Sequence, residues 1–171
     1  MTKLFKGVLA GLLIAGLSGC APKTDDIEVE AYKVKDINMD NYKTYYIIEG
    51  SGVDDASKAT LAADGGNIDA EINAILMEKL ANIGKTAVAQ NPDLYIGYVA
   101  GADTDALKAK TDAAGDTRLD NAEAGILLVV IDAKTEKIIW MSGAVGELKG
   151  LPADQRKQRL EFAIKRMVNG I

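Results

Sequence analysis

Histidine is absent from all 171 residues, and cysteine occurs once, at position 20. Without imidazole there is no serine–histidine or cysteine–histidine nucleophile pair, and no zinc site built on imidazole and paired thiolates. A lone cysteine closes no disulfide within the chain. Basic excess is missing too. Lysine and arginine number 20 against 25 acidic residues, a net charge of −5; Lys3 and Lys6 lie among the first nineteen residues, so residues 20–171 carry −7. Such a domain is repelled by phosphate backbones and anionic head groups, which argues against nucleic acid as a partner and against adhesion through a basic patch. The apolar run Val8 to Leu17 has ten residues, half of the roughly 20 that span hydrocarbon. Chemistry is left to carboxylates, lysines, tyrosines and backbone. No arrangement of these reads as a catalytic, cofactor or metal site, and the expectation is a protein that is not an enzyme.

What is present begins at the first residues. Lys3 and Lys6 give a positive start, Val8 to Leu17 an apolar core, and Ser18 and Gly19 a small-residue exit. This is the layout of a secretory signal peptide over 1–19. Leu17-Ser18-Gly19-Cys20 resembles the lipobox of bacterial lipoproteins. The resemblance implies cleavage before Cys20, a diacylglyceryl thioether on its sulfur and an acyl group on its amine, so the membrane is an expected partner through acylated Cys20. Ala21, not aspartate, follows; by the same resemblance this favours the outer membrane, facing the periplasm. Residues 20–26 form a short tether, its last six spanning on the order of 20 Å when extended. Residues 27–171 have the size of one domain.

Within that domain Ile27 to Val34 alternates, with Ile27, Val29, Ala31 and Val34 towards one side and Glu28, Glu30 and Lys33 towards water, as in a half-buried strand. Tyr42 to Ile48 is a second strand, rich in β-formers. After a glycine-bounded loop over 50–66, with a helical turn allowed at 56–63, Asn67 caps a helix. Its stripe is Ile68, Ile72, Ile75, Leu76, Leu80 and Ile83, and Gly84 stops it. Leu94 to Ala100 is a strand with Leu94, Ile96 and Tyr98 on one face. A second long loop covers 101–124. Ile126 to Ile131 is apolar without alternation, as in a strand covered on both faces or central in its sheet. With Ile138 to Val145 it makes a hairpin around the polar reversal 132–137. A final helix runs from Ala153 to Asn169, burying Leu160, Ala163, Ile164, Met167 and Val168, with Gln155, Lys157, Arg159 and Lys165 towards water. Met77, Met141 and Met167 read as core fillers. The fold class expected is α+β: a single two-layer domain with a mixed sheet of about five strands and two amphipathic helices on one face. Strands 42–48 and 94–100, joined through the helix, are expected to be parallel.

Several groups invite a chemical reading. Asp103, Asp105, Asp112, Asp116, Asp120 and Glu123 crowd one loop, but no window has the oxygen ligands and glycine of a calcium loop in register. The reading is a solvated loop. Tyr95, Tyr98 and Trp140 are candidate ligand-binding rings for a small apolar molecule or glycan, although aromatic residues are also favoured in packed strands. Glu28 and Glu30 share a strand face, which more often marks a solvated edge than a pair of glycosidase carboxylates. Glycines 50, 52, 65 and 66 lack the Gly-Lys-Ser/Thr of a phosphate loop.

The ordered set of pieces carries a second resemblance. A lipobox is followed by Tyr42-Lys-Thr-Tyr45, a helix, the strand from Pro92-Asp93-Leu94 through Tyr98, a long loop, the hairpin Asp132-Ala-Lys-Thr-Glu-Lys-Ile-Ile-Trp140 with Gly143-Ala144, and a closing helix. Over residues 40 to 169 the chain resembles the bacterial lipoproteins of the domain-of-unknown-function 4136 family; the strand at 27–34 is an addition to that pattern. The resemblance brings no activity and no functional residues. The expected function is a lipid-anchored, non-enzymatic structural or accessory binding module of the envelope, with other envelope proteins as further partners. The alternative is a lipoprotein that binds a small molecule or glycan in a pocket between the sheet and the long loops.

Overall fold

Two hydrophobic periods set the architecture. A period of two runs through the strands and a period near 3.6 through two helices, and each element buries the face its period makes. The computed structural model describes residues 22–55, 57–58, 67–101, 124–147 and 151–171. The leader with Cys20, the 56–63 turn and the Asp-rich cluster from Asp103 to Glu123 lie outside the described residues, wholly or for the most part.

In chain order the elements are β1 (Glu28–Lys33), a 3₁₀ turn (Met39–Asn41), β2 (Thr44–Ile47), β3 (Gly52–Val53), α1 (Ile68–Asn82), β4 (Thr86–Ala87), β5 (Leu94–Gly101), β6 (Ala124–Asp132), β7 (Ile138–Gly146) and α2 (Ala153–Met167). The strands form one sheet in the order β1-β7-β6-β5-β2-β4, with β3 also on β5. β2 runs parallel to β5, as the intervening helix requires, while β5, β6, β7 and β1 are successively antiparallel. The domain is therefore α+β with a mixed sheet. Its seven strands exceed the five expected because β3 and β4 have two residues each, too short to show a period.

β6 lies between β5 and β7, which is why its sequence is apolar without alternation. On one sheet face Leu94, Ile96, Tyr98, Leu128, Val130 and Trp140 join Ile72, Leu76 and Leu80 of α1 and Ile164 and Met167 of α2 in a common core. Asn67 caps α1 by accepting from the Ala70 amide at 3.1 Å, and Gly84 leaves the helix at φ +81°, a conformation glycine adopts at no steric cost.

Three expectations need correction. Ala31 is exposed rather than lining a buried face, because β1 is an edge strand and only Ile27 and Val29 at its start pack inward. Met77 is 44% exposed, one position past the stripe residue Leu76 and turned off the core face. Arg159 does not face water: it is 4% exposed.

The short motifs of the resemblance meet at one end of the sheet. Asp93 accepts from the amides of Lys43 and Thr44 at 2.7 and 2.8 Å, and its own amide donates to Thr44 Oγ1 at 2.9 Å. Asp132 Oδ1 accepts from the amides of Lys134 and Thr135, both at 2.8 Å, which folds the hairpin reversal. The Tyr42 hydroxyl donates to Asp132 Oδ2 at 2.7 Å and joins the two junctions. Buried Lys85 donates to the carbonyls of Met39 and Tyr42, both at 2.7 Å. These residues lock the end of the sheet where β5 starts and β6 finishes, and their polar groups are spent on that structure.

Candidate functional site

At the opposite end of the sheet the described residues leave a cleft. There β5 finishes, β6 starts and β7 finishes, in the register Ala100↔Ile126, Gly101↔Gly125, Ile126↔Ala144 and Ala124↔Gly146. Six of the residues at these positions are alanine or glycine, side chains too small to fill the space under two helices. The result is a cleft of about 310 Å³ between sheet and helices, at the lower end of the volumes that hold small ligands. α1 contributes its first turn, Ile68, Glu71 and Ile72; α2 contributes Ala153, Arg156, Lys157, Leu160 and Ala163 at helical spacing. Ile72, Ile126, Ala144 and Ala163 are among its buried apolar residues. Arg156, Lys157 and Arg159 bring positive charge along α2, and Glu71 and Asp154 bring two carboxylates.

Arg159 organises the lip. Its Nη1 donates to Asp26 Oδ1 at 2.9 Å and to the Lys23 carbonyl, and its Nη2 donates to Asp26 Oδ2. Asp26 Oδ2 also accepts from the Glu147 amide at 3.1 Å. The guanidinium hydrogen bond holds the Asp26 carboxyl down to about 2, against the opposing push of burial. Gly146 permits this approach: a Cβ there would sit 3.2 Å from Ile27 Cγ1 and 3.3 Å from Arg159 Nη2. Arg159 Nε is buried with no acceptor among the described residues. Arg159 lay in a polar stretch, and the sequence signal for its burial was faint. It stands four residues before Ala163 and eight before Met167, on the edge of the apolar arc.

The three candidate rings are not brought together, and none lines this cleft. Tyr98 and Trp140 are 3% and 6% exposed within the core. The Tyr98 hydroxyl donates to the Asp69 carbonyl at 3.4 Å, and burial pushes its pKa up to about 12. Trp140 lies under Gly170, and its Nε1 has no partner among the described residues. Tyr95 is on the other sheet face, edge-on to Tyr46 with ring centroids 6.4 Å apart. Glu28 and Glu30 are exposed on the edge strand. The carboxylate with the strongly lowered pKa, Asp26, faces a guanidinium rather than a second acid. Among the described residues no group of three or more histidine, cysteine, aspartate or glutamate side chains could hold a metal, and no helix is long and apolar enough to cross a membrane.

Comparison with known proteins places the fold. The pattern of the domain of unknown function DUF4136 matches residues 29–170. The chain belongs to the DUF4136 family. That match begins inside β1, so the edge strand is part of the family domain and not an addition to it. A crystal structure of a DUF4136 family protein from Bacteroides thetaiotaomicron is similar at 16% identity, with a TM-score of 0.61 over 85% of this chain and 95% of that one. The PelC dodecamer from Paraburkholderia phytofirmans is similar at 10% identity, with a TM-score of 0.53 over 84% of this chain and 98% of that one. At these identities the likeness is one of fold. No curated protein matches the sequence.

Proposed function

We propose that this DUF4136 protein is a lipid-anchored accessory binding module of the bacterial envelope, without enzymatic activity, held on the periplasmic face of the outer membrane by acyl chains on Cys20. The observation that carries the reading is the grip of Arg159 on Lys23 and Asp26. It fixes the domain to the chain three residues after Cys20, a reach of roughly 10 Å when extended. A domain held so close presents its surfaces at a constant height above the lipid. Two or more acyl chains anchor stably where one is marginal, and the acidic domain adds no affinity for anionic lipid. Other envelope proteins are the expected partners. β1 ends the strand order as an edge strand, the position at which an extended segment adds to a sheet. Replacing Cys20 by serine tests the anchor. The expected result is transfer of the protein from the membrane to the soluble fraction or arrest of the uncleaved precursor; retention of a processed form in the outer membrane would refute it.

A second reading, the capture of a small ligand, is favoured by the cleft of about 310 Å³ over the alanine and glycine floor. The cleft takes the place in that reading that the sequence assigned to Tyr95, Tyr98 and Trp140.

A further inference from the structure

We propose that the cleft holds a free fatty acid, its hydrocarbon chain over the small-residue floor and its carboxylate at the helix starts beside Arg159. The inference rests on the ligand-binding reading and names the ligand class. Shape comes first. From Ala153 to Ala163 the α2 wall is about 15 Å long at 1.5 Å per residue, and beneath it lie the buried apolar residues Ile72, Ile126, Ala144 and Ala163. An elongated wall over an apolar floor suits a flexible hydrocarbon chain better than a sugar, whose hydroxyls would meet no partner on that floor.

Arg159 and the helix starts decide the other end. Among the described lining residues Arg156 and Lys157 are matched by Glu71 and Asp154, and Arg159 is paired with Asp26, so net charge does not choose the ligand. The first turns of both helices border the same cleft, and helix N-termini favour an anion there. Arg159 is 4% exposed, and its Nε–H lacks an acceptor among the described residues. A buried donor left unmade is costly, and a carboxylate is the acceptor that would satisfy it most strongly.

The test uses the full chain in membranes of the cells that make it, with palmitate carrying a diazirine near its chain end. After illumination the labelled peptides are mapped by mass spectrometry. Label is expected on the peptides around Ile72 and Leu160, displaced by unlabelled palmitate and not by hexadecyltrimethylammonium. Ala144→Leu fills the floor and is expected to lower that label about tenfold, equivalent to 1.4 kcal/mol, with Trp140 fluorescence reporting that the fold is kept. Lys157 is exposed, so Lys157→Glu leaves the core untouched; its label is expected to fall, with the difference between the two competitors reduced. Label only outside the cleft, or equal competition by the cationic amphiphile, overturns the proposal. So does label that appears only in Cys20→Ser, since the cleft would then belong to the chain's own acyl group. Cleft labelling that persists in a Cys20→Ser chain found in the soluble fraction supports it. Absence of label on a chain still in the membrane refutes the fatty acid and leaves the anchor standing.

Discussion

Replacing Asp26 by asparagine removes the partner of a guanidinium that is 4% exposed. The carboxyl drops from its ordinary 3.8 to about 2 on folding, worth about 2–3 kcal/mol at roughly 1.4 kcal/mol per pH unit. The Asp26 side chain keeps 30% of its exposure, and water screens part of that, so about 1–2 kcal/mol is the share of the charge itself. Stranding Arg159 without a counter-charge adds to the loss, and Asp26→Asn is expected to cost about 2–3 kcal/mol at pH 7. The folded pKa lies below the unfolded one, so the stabilisation is complete well above pH 3.8 and fades as pH falls through the window from 3.8 to about 2. Urea denaturation followed by the fluorescence of Trp140, the one tryptophan of the chain and a buried one, gives both quantities. Arg159→Met in the Asp26→Asn background should recover part of the loss, because the buried charge goes with it. A variant within about 0.5 kcal/mol of the parent, with the same acid limb, would refute the view that this pair carries a net stabilising charge interaction.

Two further variants test the helices. Gly84→Ala places a side chain at φ +81° with nothing within 4 Å of the new Cβ, so the backbone alone resists; a loss of about 1 kcal/mol is expected by thermal or urea unfolding. Ser142→Ala removes a buried donor to the Met167 carbonyl at 3.0 Å and should cost about 1–2 kcal/mol in the same assay.

The elements that carry a period were legible in the sequence. Asn67 and Gly84 bracket α1 where they were expected to, Leu94, Ile96 and Tyr98 share the core face of β5, and the Ile126 to Ile131 run marks the interior strand. What escaped was local or non-periodic. β3 and β4 are two-residue pairings that exist because β5 and β2 offer them an edge. The exposure of Ala31 is a property of strand order, which alternation along β1 does not encode. The site was less readable still. Its floor consists of residues remarkable only for being small, and their alignment across three strands depends on register. Arg159 was hidden because its partner, Asp26, lies 133 positions away. The aromatic residues that drew attention as a binding surface are, for Tyr98 and Trp140, packing.

Strand β1 lies beside β7, so that Glu28 opposes Val145. A chain produced or exported from its first residue releases β1 long before the neighbour it needs exists. The N-terminal strand must wait, unpaired, until nearly everything else has emerged. Pairings this distant in sequence are slow to close, and the last event of maturation is then the seating of the N-terminal strand. A stop codon placed before β7 would deprive β1 of its seat, and for this domain every such truncation is a failure at both ends of the chain.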